Sequence, residues 1–510
     1  MRKIFLLLSG SFFLVSTRAQ EPVDALKFSW NVPGGSARIQ AVGGAMGSLG
    51  GDITALFVNP AGLAFYRTGD FILSPAFQSG NAKSTYLGRQ ERDQHNRFTW
   101  GATGFVVGGN GRNGKNSAFS IALNRTADFN SRYTYSGQNF SSSYSQKYLE
   151  EIGNTGNGNV VASEFPFGAS LGFNTFWIDT VGGGSQGNFQ FQSRSVPLIA
   201  NGLLQQNTVH TKGGITEIAF GGAAQINNKL MIGGSLGVPL VYYEKDVEFI
   251  EADPTSDPNN KFDFARVNET MSTKGVGINL KAGLIYKPQE YWRLGLALHS
   301  PTFYSLTDMN DITVTTNTEG YKGEQFISTT DITGADHEFK YYFHNPYKVI
   351  GSISFVIRET EDVTRQRGFI TADVEYVNHK ASSYYTSEEN SDDAFTKNYL
   401  KSLNTAIDNA FRGAFNYRVG GEIKFTTIMA RLGAAYYSNP YKNIEGEKGS
   451  RLNLSGGLGY RNQGFFIDLT YVHAMTRDVN FAYRLQQSPN SIASIRQTTG
   501  NILATVGFKF

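Results

Sequence analysis

The chain has 510 residues, and its 46 basic and 43 acidic side chains leave a net charge of only +3. This near balance argues against nucleic-acid binding, which needs a strongly basic surface. The chain contains no cysteine, so disulfides, thiolate metal sites, cysteine catalysis and lipoprotein anchoring on a cysteine are excluded. The 57 glycines and the 13% of aromatic residues suit barrel strands in which small lumen residues alternate with large lipid-facing ones.

The first residues are typical of a secretory signal. Arg2 and Lys3 give a positive start, and residues 4–15 form an apolar stretch that is too short to span a bilayer. Small residues precede Gln20, and we expect the mature chain to begin there. Because no later apolar stretch is long enough to span a membrane as a helix, no helical span is expected.

From residue 70 onward, apolar residues alternate with small or polar ones, a pattern typical of barrel strands. Leu294, Leu296 and Leu298 point one way, for example, and Gly295 and Ala297 point the other. We therefore predict an all-β, antiparallel transmembrane barrel of about fourteen strands. The predicted strands lie near residues 70–80, 96–108, 116–127, 213–226, 229–243, 272–287, 291–303, 338–358, 367–379, 412–426, 428–438, 450–461, 464–480 and 498–510.

Connections between these strands alternate between short and long. Asn227–Asn228 and Asn462–Gln463 are short turns. The long, polar connections are residues 128–212, 244–271, 304–337 and 380–411, and residues 391–411 within the last one predict an amphipathic surface helix. Outer-membrane barrels have short periplasmic turns and long outside loops, so we expect both ends of the barrel to lie in the periplasm.

Residues 20–69 do not follow the strand pattern. They are rich in glycine and end in Asn59-Pro60-Ala61-Gly62-Leu63. This run resembles the N-terminal hatch of the outer-membrane long-chain fatty acid transporter family (FadL-like proteins). Together with the signal sequence and the strand pattern, the resemblance divides the chain into a signal peptide (1–19), a hatch segment (20–69) and a barrel (70–510).

Within the hatch motif, each residue has an expected backbone role. Pro60 fixes φ and lacks an N–H, and the Asn59 side chain can bond nearby backbone groups. Gly62 permits unusual backbone angles. Asn59, Pro60, Ala61 and Gly62 are therefore the predicted hatch site.

The resemblance also implies a function. It implies passive uptake of hydrophobic small molecules, above all long-chain fatty acids, across the outer membrane. In the family, the ligand enters an apolar pocket in the barrel and leaves sideways through a wall opening made by a kinked strand. The expected partners are these hydrophobic molecules, outer-membrane lipids and the barrel assembly machinery; we expect a monomer, no cofactor and no nucleic acid.

Charged residues of both signs fall on the predicted lumen face. Lys281, Arg293, Arg418 and Arg431 are candidate cations for a ligand carboxylate. The other interpretation is that they pair with acidic residues of the wall or the hatch, and we favour it because barrel interiors are normally polar. The acidic residues on the same face are Glu217, Asp373, Glu375, Glu422 and Asp468.

Other functions remain open at this point. A general porin would have an open lumen, and an adhesion barrel would place its specificity in residues 128–212. The same fold could also take up aromatic hydrocarbons or haem. We expect neither an enzyme nor a metal site, because no catalytic constellation is found and the seven histidines are scattered.

Overall fold

The computed structural model describes residues 22–510, except 31, 33, 111–113, 154, 184–188, 256, 358–366, 391, 443–448 and 487–488. The predicted signal peptide lies outside the described residues. Among those described, the main sheet closes into an antiparallel barrel of fourteen strands, which confirms the predicted fold class.

The barrel strands, β1 to β14, are named in chain order, and six of them consist of two segments separated by a short break. Their bounds are Asp70–Leu73 and Pro75–Tyr86 (β1), Arg89–Trp100 and Thr103–Asn110 (β2), Asn116–Asp128 and Ser131–Asn139 (β3), Leu203–Gln225 (β4), Leu230–Ala252 (β5), Phe264–Gln289 (β6), Trp292–His299 and Phe303–Asn317 (β7), His337–His344 and Lys348–Ile357 (β8), Gly368–Asn378 and Ser383–Thr386 (β9), Gly413–Phe425 (β10), Ile428–Tyr437 (β11), Arg451–Asn462 (β12), Phe465–Asn480 (β13) and Ala493–Lys509 (β14).

Each strand pairs with the next one in sequence, and β14 returns to β1 to close the barrel. Asp70 lies opposite Lys509, and Ala76 lies opposite Leu503. We call the end of the barrel that carries the short connections 226–229 and 463–464 the turn end. The other end, from which residues 140–202 and 387–412 emerge, is the loop end.

A belt of apolar side chains surrounds the barrel on its outer face. Leu280, Leu432 and Leu458 are 60%, 75% and 61% exposed, and they belong to three different strands. Monomeric soluble proteins rarely expose a continuous apolar surface of this kind. A transmembrane barrel requires it, because the outer face of its strands contacts lipid.

Several strands continue past their predicted ends. β4 and β5 have 23 residues each, and β6 has 26. The predicted loops 128–212, 244–271, 304–337 and 380–411 are therefore too long; the connections are residues 140–202, 253–263, 318–336 and 387–412. The alternation fades beyond the belt, because both strand faces there carry polar residues, and the sequence pattern therefore missed these extensions.

The connection 140–202 folds over the loop end of the barrel around the buried Trp177. It contains helices α4 (Ser145–Ile152), α5 (Gly158–Ser163) and α6 (Ala169–Asn174), a hairpin of Ile178–Gly183 and Phe189–Ser193, and the 3-10 helix Val196–Asn201. Helix α7 (Thr329–Thr333) and a short strand, Glu324–Ser328, follow β7.

The amphipathic helix predicted within residues 391–411 is present as α8 (Ala394–Ala410). Leu400, Leu403 and Ile407 are buried as expected, whereas Phe395 is exposed. Within the part of the chain that the structure describes, no helix is long and apolar enough to cross a membrane.

The hatch segment packs inside the barrel. It forms α1 (Pro22–Ser29), α2 (Ala37–Ala41), α3 (Ala55–Val58) and the 3-10 helix Pro60–Phe65. Its buried apolar side chains form one cluster with inward-facing residues of the wall, such as Ile285 of β6 and Ile350 of β8. The lumen is therefore filled by the chain's own N-terminal residues.

Candidate functional site in the barrel lumen

Asn59 of the hatch motif forms hydrogen bonds both within the hatch and to the barrel wall. The Asn59 side-chain amide donates to the carbonyl oxygens of Gly47 (2.5 Å) and of Leu284 in β6 (3.2 Å). Its oxygen accepts from the N–H of Ala61 (3.2 Å), which caps the 3-10 helix that begins at Pro60. Asn59 thus satisfies backbone groups on three segments at once.

Gly62 does not use the backbone freedom that glycine permits, because its φ is not positive. A Cβ atom on Gly62 would lie 2.8 Å from the carbonyl oxygen of Leu49 and 2.9 Å from the Ala55 side chain. The position requires glycine for close packing within the hatch, not for an unusual backbone angle.

Glycines of the barrel wall also allow close packing against the hatch, because they lack a Cβ atom. A Cβ on Gly283 would lie 1.9 Å from the Asn59 side-chain oxygen, and one on Gly295 would lie 2.1 Å from the carbonyl of Gly47. Gly420 and Gly433 approach the Val42 backbone equally closely. These lumen-facing glycines let the hatch backbone contact the strands directly.

The predicted lumen charges all have buried side chains, and they fall into separate groups. Arg431 bonds Glu422 (2.6 Å) and Asp468 (2.5 Å), and Arg38 of the hatch lies 3.5 Å from Glu422. This group is a network between the wall and the hatch.

Two further charges of the wall also contact the hatch. Asp373 accepts hydrogen bonds from the N–H groups of Met46 (2.9 Å) and Gly47 (3.0 Å). Arg293 lies over the Phe65 ring, 4.5 Å from its centroid. Of the four candidate cations, Arg293 and Arg431 are therefore engaged by the hatch or by paired acids.

The other two candidate cations line a cavity of about 70 Å³ between the hatch and the wall. Lys281 pairs with Glu217, and Arg418 pairs with Glu375 at 2.7 Å. Lys281 lies in β6 and Glu217 in β4, so this pair reaches across β5. It does so at Gly237, where a Cβ would lie 1.9 Å from the Glu217 carboxylate.

Lys348 of β8 also lines this cavity, and the sequence analysis did not single it out. Its ammonium group forms no hydrogen bond or ion pair with the described residues. Arg418 keeps two N–H groups, at Nε and Nη1, that are buried without a hydrogen-bond partner. Strand alternation with Ile350 and Ser352 was the available signal that Lys348 faces the lumen.

The cavity reaches the wall at Asn124 and Thr126 of β3. At this level the hydrogen-bonded ladder between β2 and β3 stops. It covers Thr103–Asn110 and Asn116–Leu123 only, and the segment Arg89–Trp100 pairs with β1 alone. The described part of the wall therefore has a break in its backbone bonding on the loop-end side.

Side chains and the hatch bridge this break. Arg97 of β2 contacts Asp128 (2.8 Å) and the Asn130 carbonyl (3.0 Å) of β3. On the lumen side, the carbonyl of Gly35 accepts a hydrogen bond from Ala102 of β2 (3.1 Å). A Cβ on Gly34 would lie 2.3 Å from the carbonyl of Arg125 in β3. Gly34 and Gly35 thus lie between the two separated strands.

Above the cavity, α1 and α8 close the lumen toward the loop end. Phe28 of α1 packs against Tyr304 and Phe343 of the wall, with ring centroids 6.0 Å and 5.3 Å apart. Leu400 and Leu403 of α8 join the same buried cluster. In the described residues, no group of histidine or acidic side chains is arranged to hold a metal ion.

No family model matches the sequence, and no curated protein matches it. Solved structures do match. A crystal structure of a Pseudomonas aeruginosa FadL homologue has a TM-score of 0.53 at 14% identity, covering 94% of this chain and 99% of that chain. A crystal structure of the P. putida toluene transporter TodX has a TM-score of 0.50 at 12% identity, covering 94% and 99%. At these identities the likeness is one of fold, and this chain shares the barrel fold of these two proteins.

Proposed function

We propose that the protein takes up hydrophobic small molecules across the outer membrane by passive diffusion. The proposal rests on the observation that a closed barrel with an apolar outer belt holds its own N-terminal segment in its lumen. A general porin needs an open aqueous lumen, and the filled lumen argues against one. Two of the similar structures are described as a FadL homologue and a toluene transporter, which agrees with a hydrophobic cargo.

The preferred cargo in this proposal is a long-chain fatty acid, because the cavity offers cations to a carboxylate. Lys348 has no partner among the described residues, and Arg418 has two unpaired N–H groups beside it. Lys281 is the weaker candidate, because Glu217 and Asn279 already occupy its ammonium group. Charge-assisted hydrogen bonds of this kind are about twice as strong as neutral ones.

The cavity of about 70 Å³ is small beside the roughly 300–1,000 Å³ of typical ligand pockets. A long acyl chain therefore enters only when a lumen element moves aside. The segment around Gly34 and Gly35 is the candidate, because it lies between the cavity and the break in the β2–β3 ladder. In this proposal the ligand leaves through that break into the membrane.

Ion conductance in planar bilayers tests the hatch-filled barrel. The intact protein should show little steady conductance. A variant lacking residues 20–62 should conduct much more, provided that heat-modifiable gel mobility shows that its barrel still folds. High steady conductance from the intact protein would instead identify a general porin.

A further inference from the structure

We propose that a row of four basic side chains on the outer wall binds the phosphate groups of an anionic glycolipid, lipopolysaccharide, in the outer leaflet. The row consists of Arg477 (β13), Arg496 (β14), Lys83 (β1) and Arg92 (β2). The inference rests on the outer-membrane location proposed above, and it does not depend on which molecule crosses the lumen.

The strand register places the four residues side by side. Arg477 lies opposite Arg496, Arg496 lies opposite Lys83, and Lys83 lies opposite Arg92. Residues directly opposite each other in an antiparallel pair share a face of the sheet. With neighbouring strands about 4.8 Å apart, the row spans about 14 Å.

The face that carries the row is the outer one. Ser84 and Ile495, the chain neighbours of Lys83 and Arg496, are buried on the lumen side. The side chains of Arg92, Arg477 and Arg496 are exposed, and that of Lys83 is partly exposed. The four positively charged groups therefore point away from the barrel.

This arrangement is unfavourable without a partner, because like charges directly opposite each other destabilise a strand pair. Within the described part of the chain, none of the four forms a hydrogen bond or an ion pair. Among the described residues, the outer face of these strands between the belt and the row also carries no carboxylate. Its residues there are Ser79, Asn81, Gln94, Asn96, His473, Met475, Thr498 and Gly500.

The height of the row fits a lipid headgroup. The rim of the apolar belt on these strands is itself a register row, Tyr471–Ile502–Phe77–Phe98. The basic row lies six residues farther toward the loop end than this rim on each of the four strands. Six residues rise about 20 Å along a strand, or about 15 Å along the membrane normal at the usual tilt.

The chemistry of the row favours phosphate. Three of its four members are arginines, whose planar guanidinium groups bind phosphate through paired hydrogen bonds. Clusters of basic residues beside a membrane surface attract anionic lipid headgroups. A row of cations across neighbouring strands matches a glycolipid that carries several phosphates.

The test uses the purified full-length protein in detergent and bisphosphorylated lipid A as the probe. The readouts are the dissociation constant and the midpoint temperature of heat-modifiable gel mobility. The row variant combines Lys83→Gln, Arg92→Gln, Arg477→Gln and Arg496→Gln. The control variant removes the same charge from exposed positions elsewhere, with Lys115→Gln, Lys229→Gln, Lys397→Gln and Lys401→Gln.

The wild type and the control variant should bind bisphosphorylated lipid A and gain thermal stability from it. The row variant should bind at least tenfold more weakly. Without lipid, its midpoint temperature should equal or exceed that of the wild type, because the repulsion is removed. Dephosphorylated lipid A and free inorganic phosphate at the same concentration should have little effect.

Equal binding by the row variant would overturn the inference. So would an equal response of the wild type to dephosphorylated lipid A or to free phosphate. Uptake of a hydrophobic substrate, measured separately, tests the proposed function. A protein that binds lipid A through the row but imports no hydrophobic substrate would overturn only the proposed function.

Discussion

The amide of Ala102 in β2 donates a hydrogen bond of 3.1 Å to the carbonyl oxygen of Gly35 in the hatch. The bond lies where the β2–β3 ladder stops, so a hatch residue occupies the edge that β3 leaves free. This hydrogen bond therefore links the position of the hatch to the closure of the barrel wall.

Substituting Gly34→Ala should weaken this closure. The new Cβ would lie 2.3 Å from the carbonyl of Arg125, so the hatch must shift away from β3. We expect faster hydrogen exchange at the Ala102 amide. The control is Gly109→Ala, also in β2, where the added Cβ meets no atom within 4 Å. Unchanged exchange at Ala102 in the Gly34 variant would contradict the proposed role of this contact.

The substitution Lys348→Met should separate acidic from neutral cargo. Loss of a charge-assisted hydrogen bond of about 1.5–3 kcal/mol predicts an affinity for a long-chain fatty acid that is weaker by about tenfold or more. Binding of toluene, which has no carboxylate, should change little. Lys229→Met, at an exposed turn, is the control. Equal losses for both ligands would argue that Lys348 does not meet a carboxylate.

Removing Arg431 should destabilise the barrel. Arg431→Met leaves Glu422 and Asp468 buried beside each other with less compensating charge. Breaking a buried ion pair in this way costs about 3–5 kcal/mol, so the midpoint temperature of heat-modifiable mobility should fall. Breaking the exposed pair of Lys380 and Asp408 with Lys380→Met should have a much smaller effect, because solvent screens exposed charges. A similar small effect at both sites would contradict a structural role for the lumen network.

Acid should loosen α1 through His379, which lies in the 3-10 helix His379–Ala381 and bonds the Ser29 hydroxyl at 2.9 Å. The His379 side chain is buried at 1% exposure, and a charge buried without a partner is costly. The unfolded chain exposes this ring, which takes up a proton as the pH falls below about 6.5. Stability should therefore fall as the pH falls below about 6.5.

Tryptophan fluorescence, to which Trp30 next to α1 contributes, reports this loosening. We expect its emission to change on acidification in the wild type and to respond less to pH in a His379→Gln variant. A His473→Gln variant, altered on the outer wall, should behave like the wild type. An acid response that survives His379→Gln unchanged would assign it to another group.

The sequence predicted the barrel because lipid on one face and a filled lumen on the other impose a two-residue alternation. It did not predict the loop-end extensions of β4, β5 and β6, where that contrast between the two faces disappears. The motif at Asn59 was recognisable, but its bond to Leu284 joins residues far apart in sequence. The pairing of Lys281 with Glu217 across β5 likewise follows from register and from Gly237, which no local pattern reveals.

Uptake by cells tests the central claim most directly. Cells that lack their own transporter would express the protein, and accumulation of a labelled long-chain fatty acid and of labelled toluene would be normalised to surface protein. The account predicts accumulation of at least one of them above the vector control. It also predicts reduced accumulation for Asn59→Ala and Pro60→Ala at normal surface levels, because both substitutions loosen the hatch turn. Surface-exposed wild-type protein that imports neither compound would contradict the account.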